Sequence, residues 1–204
     1  MKAVQITSYD GPDGLSYDDI PAPEPAPGQI AIDVEYAGAN YVEALFAGGF
    51  VPNPLPWVPG IEASGRIRAL GQGVTGFTPG DRVAALTING GGGYGQVAVT
   101  HAGLVAPMPA GMDPALASVV PSNTTTALIA LERIAHLMPG EHVLVHAAAG
   151  ASGRSSGRSP DGLVPAASSG LSAARRSGRP PSISDTTRCG CVRTSMARSK
   201  GSST

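Results

Sequence analysis

Residues 139–150 read PGEHVLVHAAAG, and residues 151–162, which follow directly, read ASGRSSGRSPDG. The first stretch centres on Val143, Leu144 and Val145, a short continuous apolar run of the kind expected in a strand covered on both faces of a parallel sheet. It closes on AAAGASG, residues 147–153, whose small side chains let a chain turn sharply into the N-terminus of a helix. The second stretch supplies no such helix. From residue 151 to 204 the chain holds 14 Ser, 8 Arg, 7 Gly and 4 Pro, and no aromatic residue. A segment of that composition buries too little apolar surface to offset its chain entropy, so residues 154–204 are expected to be disordered. Function is therefore to be read from the first 150 residues.

Charge divides at the same place. Residues 1–150 carry 5 basic and 13 acidic side chains, and residues 151–204 carry 9 basic and 2 acidic. The acidic body has no nucleic-acid signature, and the tail's scattered charges lack the aromatic interleaving of a single-strand binder. Cys189 and Cys191 are one residue apart, a spacing that does not match structural zinc patterns. The N-terminus, MKAVQITSYDG, alternates like a strand and lacks the apolar core of a secretory signal. No run of about 18 apolar residues is present to span a membrane. A cytoplasmic protein with neither a nucleic-acid nor a membrane partner is expected.

Upstream of the apolar run the chain reads as many short strands. Residues 2–8 form the first, residues 11–14 a turn, and PAPEPAPGQ a Pro-rich loop. In QIAIDVEYAG, Ile30, Ile32, Val34 and Tyr36 alternate with Ala31, Asp33 and Glu35, the period of a half-buried strand. YVEALFAGG predicts a short helical turn ended by Gly48 and Gly49. ASGRIRAL, DRVAAL and YGQVAVT predict further strands between Gly- and Pro-rich breaks. Such spacing indicates a small barrel-like domain. The pattern then becomes helical over residues 113–137, with Asp113 as a cap before Pro114 and a second helix from about Thr125 to Leu137. Barrel, helix, parallel strand and glycine turn together form the beginning of a dinucleotide-binding fold.

Five phrases in order resemble the medium-chain dehydrogenase/reductase superfamily, in its zinc-independent quinone oxidoreductase branch: MKAVQ with GPDGLSYDDIPAPEPAPGQIAIDVEYAGAN, VPGIEASGRI, TPGDRVAAL, GGGYGQVAV and PGEHVLVHAAAG. The resemblance implies an α/β chain with a β-rich N-terminal part. Residues 1–122 would be a GroES-like catalytic domain and residues 123–153 the start of a Rossmann domain, reaching its first strand only. It implies hydride transfer from NADPH to a quinone or other activated alkene or carbonyl, a small-molecule substrate, and a homodimer as one possible state of a full-length parent.

In the zinc-using branch the metal ligands are a Cys, a His and a later Cys or His. The positions here are Asn40, Ile61 and about Ser122, and of that neighbourhood only Glu62 could ligate, so no metal is expected. His101, His136, His142 and His146 have no paired ligand spacing and read as surface or strand-end residues. The resemblance places Asn40 in the cleft, where a neutral amide can bond an oxygen of cofactor or substrate. Tyr41 is a candidate donor and Thr126 lies near the nicotinamide. Asn40 reads equally well as a turn-closing residue and Thr126 as a helix-start cap. Leu45 and Ala47 stand where the branch has a Tyr and an Arg, which argues against a simple quinone specificity. Ala147, Ala148, Ala149, Gly150 and Gly153 fit the A-x-x-G-x-x-G turn that holds a pyrophosphate.

The tail also reads as the missing domain translated out of frame. Regrouping codons one base earlier, residues 172–191 permit VGSAEKRAAALDLGYDAVWL, residues 151–167 permit GLGPQFGQVARWLGAGR, and residues 193–204 permit PDLDGEVEGVVD. These supply a glycine turn, its helix and the next strands. A Lys after the recovered strand end, in place of an acid that would bind a ribose hydroxyl, favours NADPH over NADH. On this reading the 204-residue product binds cofactor poorly and is of doubtful activity. An inactive fragment, a GroES-like partner-binding module and an enoyl reductase of the same superfamily are the alternatives.

Overall fold

A computed structural model of the chain describes residues 1–138 and residue 143. The expected Rossmann strand, apart from Val143, the glycine turn from Ala147 to Gly153 and the tail lie outside the described residues. Contacts divide the chain into two units, Met1–Ser122 and Asn123–Thr204.

The first unit is built on β-strands. β1 (Lys2–Ile6) and β2 (Leu15–Asp19) form an antiparallel pair joined through a 3₁₀ turn at Gly11–Gly14. β3 (Gln29–Ala37), β4 (Glu62–Leu70), β5 (Arg82–Leu86), β6 (Val97–His101) and β7 (Val105–Pro107) form a second antiparallel sheet in the order β6-β3-β4-β5-β7. β6 and β7 are its two edges and do not pair with each other, so the barrel expected from the sequence is an open half-barrel. β1 joins this structure through Val4 N–H to Tyr94 O at 3.0 Å and Ile6 N–H to Trp57 O at 2.8 Å.

The core follows from the alternation of β3. Ile30, Ile32, Ile67, Val83 and Ala85 make one buried cluster, with Leu70, Val74, Phe77 and Val105 against it. The alternation predicted across the whole strand holds only in part. Tyr36 is exposed because the β3–β4 register shifts between Val34 and Tyr36, where Glu35 is an extra residue on β3 and turns the following side chain to the opposite face. The shift between Ala31 and Ile32 has its extra residue, Arg68, on β4, so Ile30 and Ile32 stay on one face of β3. Ala31, on the other face, is buried too. Ala31 also lies on a strand that packs against the short helix α2 (Pro114–Ala117), which covers β3 and β4. Asp113 caps that helix as expected, its Oδ1 accepting from Ala115 N–H at 2.9 Å.

A second apolar cluster joins Ile6, Phe46, Ala47 and Ile61. Phe46 meets Trp57 edge-on, with centroids 5.2 Å apart. This cluster seats α1 (Tyr41–Ala47), the short helix expected from YVEALFAGG. The following helix, α3 (Val120–Leu128), starts five residues before the expected Thr125 and widens into a π-helical turn at Ile129–Ile134. The helix ends there rather than at Leu137, and His136 follows in the left-handed region with φ of 48°.

Candidate functional site

Asn40 and Tyr41 come together at the start of α1. Asn40 is the residue before the helix and closes a capping box with Glu43: the Asn40 side chain faces the Glu43 N–H, and the Glu43 carboxylate reaches back. Its Oε2 accepts from Asn40 N–H at 2.9 Å and its Oε1 from Ile61 N–H at 3.3 Å. Both readings of Asn40 are thus compatible, since a residue that caps the helix still carries a side-chain amide. That amide donates from Nδ2 to Glu62 Oε1 at 2.9 Å. Tyr41, next in the chain, is 64% exposed.

Glu62, the first residue of β4, is fully buried. Its second oxygen, Oε2, accepts from Ser122 N–H at 2.8 Å. Ser122 lies in the first turn of α3, where backbone N–H groups have no partner within the helix, so Glu62 closes that helix end from a distant strand. Asn40, Glu62 and Ser122 therefore meet, and Ile61 is tied to them through Glu43. All four carboxylate oxygens of Glu43 and Glu62 accept from N–H groups of the chain.

The local backbone makes room for this. Gly38 donates its N–H to Glu62 O at 3.1 Å, and a Cβ there would lie 2.5 Å from Glu62 Oε1. Gly60 adopts φ of +97° with the Tyr94 N only 2.7 Å from where a Cβ would be, a position open to glycine alone. The buried Thr87 fixes that turn, donating from Oγ1 to Gly60 O at 2.6 Å.

Burial pushes the Glu62 carboxyl above the ordinary glutamate range, the Asn40 and Ser122 hydrogen bonds pull it down, and the nearby Glu43 charge adds a smaller upward push. The Tyr94 hydroxyl is pushed up to about 12, first by burial and then by the charges of Glu43 and Glu62. Glu43 and Tyr94 also line a cavity of about 260 Å³ with Val4, Leu15, Ala47 and Pro59, and its walls are almost wholly apolar.

Thr126 lies within α3, exposed and six residues past its start, so it is not a helix-start cap. His101 is at the end of β6, where its Nδ1 accepts from Gly103 N–H at 3.3 Å, and His136 is exposed. Among the described residues no group of three or more His, Cys, Asp or Glu side chains could hold a metal ion, and no helix is long and apolar enough to cross a membrane. Ala147, Ala148, Ala149, Gly150 and Gly153 lie outside the described residues. Glu43 is the residue that sequence reasoning passed over, and Glu62 was singled out only as a possible metal ligand, not as the partner of Asn40 and Ser122. The N-x-x-E spacing from Asn40 to Glu43 was the available signal for the first.

Residues 26–110 match the alcohol dehydrogenase GroES-like domain. A quinone oxidoreductase of Pseudomonas aeruginosa is 34% identical over 153 residues, which cover 74% of this chain and 47% of the relative. The chain belongs to the medium-chain dehydrogenase/reductase superfamily. It is also 43% identical over 133 residues to the pikromycin polyketide synthase component PikAII of Streptomyces venezuelae, covering 65% of this chain and 3% of that one. A mycobacterial superfamily structure in complex with NADPH superposes with a TM-score of 0.71 at 32% identity, over 76% of this chain and 48% of that chain. The chain spans half or less of the length of the curated relatives it matches.

Proposed function

We propose that this chain carries the catalytic-domain part of an NADPH-dependent oxidoreductase that reduces a quinone or other activated alkene or carbonyl without zinc. The observation that carries the reading is the amide of Asn40, held by a buried carboxylate where the zinc-using branch has a metal ligand. The donor set does not fit zinc. Asn40 and Ile61 are not zinc ligands, Ser122 gives its N–H to Glu62, and every oxygen of Glu43 and Glu62 already accepts from the chain.

NADPH, when bound, supplies the hydride. For that group the backbone of Ala147, Ala148, Ala149, Gly150 and Gly153 would take the pyrophosphate, with Asn40 and Thr126 toward the nicotinamide. An amide nitrogen carries two hydrogens, and Glu62 uses one. The second can be given to an oxygen of substrate or cofactor, stabilising negative charge that grows there during reduction. Tyr41, exposed beside it, is placed to donate a proton or to line the substrate's approach. The likeness to quinone oxidoreductases and to an NADPH-bound relative supports this reading.

The test is NADPH fluorescence titration of the 204-residue chain and of its Asn40→Ala variant, followed by turnover with a panel of quinones and activated alkenes. Binding that weakens in the variant is the expected result. A chain that leaves NADPH fluorescence unchanged overturns cofactor binding by these 204 residues and favours a GroES-like module that binds a partner. The polyketide synthase likeness favours a second reading of the substrate, an enoyl thioester, and the alkene panel therefore includes one. The out-of-frame reading of residues 154–204 is tested by sequencing the coding DNA and translating all three frames. The aligned relatives leave about a quarter of the chain unmatched, about the size of that tail.

A further inference from the structure

A carboxylate only accepts hydrogen bonds, whereas an amide has one donating and one accepting edge. Ser122 N–H occupies Glu62 Oε2, so the oxygen that faces Asn40 is Oε1, and the ionised acid can satisfy only the nitrogen edge of the amide. We propose that Glu62 is a positioning residue: its buried carboxylate holds Asn40 in the orientation that offers Nδ2, rather than Oδ1, to a ligand oxygen. The inference rests on the proposed role of Asn40 and deepens it. Rotation of the amide by half a turn would present a carbonyl to that ligand oxygen and repel it, and would also break the Asn40 part of the capping box.

The position of Glu62 leaves the acid little freedom. It is fully buried, both oxygens are engaged, and Gly38 lies close enough that a single Cβ would displace the carboxyl. The groups that act on it are the donors Asn40 and Ser122 and the charge of Glu43, and Tyr94 senses its charge in turn. Protonation would put a hydrogen on one of two oxygens that each face an N–H donor; on Oε1 it would meet the Asn40 amide, donor against donor. Glu62→Gln does the same permanently: a glutamine that keeps its carbonyl on Ser122 N–H points its NH₂ at the Asn40 NH₂.

The experiment is a ¹H–¹⁵N spectrum of the full chain, with the Asn40 side-chain pair assigned by its loss in Asn40→Asp. In the native chain the pair is expected to be hydrogen-bonded and to shift with pH along a single titration whose midpoint lies above the ordinary glutamate range. In Glu62→Gln the pair is expected to move and to lose that titration, while NADPH binds roughly tenfold more weakly. An Asn40 pair that ignores both pH and the substitution overturns the inference. The native titration decides the matter even if the glutamine variant fails to fold. Failure of the functional reading looks different: the amide pair responds as expected, but NADPH does not bind the native chain.

Discussion

At the scale of single residues, the site depends on two carboxylates being tolerated in the interior. Glu62 has a raised proton affinity in the folded chain, so the native state binds more protons than the unfolded one over the interval between their midpoints. Its contribution to stability is therefore fully present below the ordinary glutamate range and is lost as pH rises through the higher folded midpoint. Urea unfolding across that interval is expected to show the native chain losing stability relative to Glu62→Gln as pH increases. Gly38→Ala is expected to destabilise by about 1–3 kcal/mol, because the new methyl meets an acid pinned at both oxygens and cannot push it aside freely. Thr87→Val keeps the shape but removes one of the two hydrogen bonds to the Gly60 carbonyl, which still accepts from Gly93 N–H at 3.2 Å, at a cost of about 0.5–1.5 kcal/mol in the same assay. The ion pair between Arg68 and Asp33, at 2.8 Å with both side chains about half exposed, is a useful contrast: Asp33→Asn is expected to change stability by less than about 1 kcal/mol.

At the scale of elements, the chain's punctuation made most of the first unit legible. β3, β4, β5 and β6 appear where alternation and Gly- or Pro-rich breaks placed them, and Asp113 caps α2 as its position before a proline suggests. β2 was missed because LSYDD has no buried face to create a pattern, and β7 because three residues carry no period. α3 was started too late because its opening, VPSNTT, is poor in strong helix formers. Its first turn is stabilised instead by Glu62, sixty residues upstream, which no local reading can see. The same holds for the site. Asn40 and Tyr41 were singled out through resemblance and Glu62 only as a possible ligand; that Glu62 is buried and joins Asn40 to Ser122 depends on partners 22 and 60 residues away. Ile32 is central to β3 and fully buried, and Ile32→Ala is expected to lower stability by about 2–5 kcal/mol in thermal or urea unfolding.

At the scale of the whole molecule, both sheets and α1 and α2 lie within Met1–Ser122, and the hydrogen bonds that define the site close at Ser122. A chain ending at residue 138 is therefore expected to unfold at the same midpoint as the 204-residue chain. Superimposable melting curves by circular dichroism would bear this out, and a lower midpoint would assign a stabilising role to the residues beyond.

The strand order has a further consequence, for the sequence of events during synthesis. The three inner strands β3, β4 and β5 follow one another along the chain, each paired with its predecessor, while the two outer strands β6 and β7 are translated last. A nascent chain can therefore lay down a three-stranded meander from near neighbours, then flank it from both sides as residues 97–107 emerge. The one long wait is that of β3, which must hold an unpaired edge until β6 has been made. A ribosome that pauses between residues 86 and 97 would leave that edge open to another nascent chain.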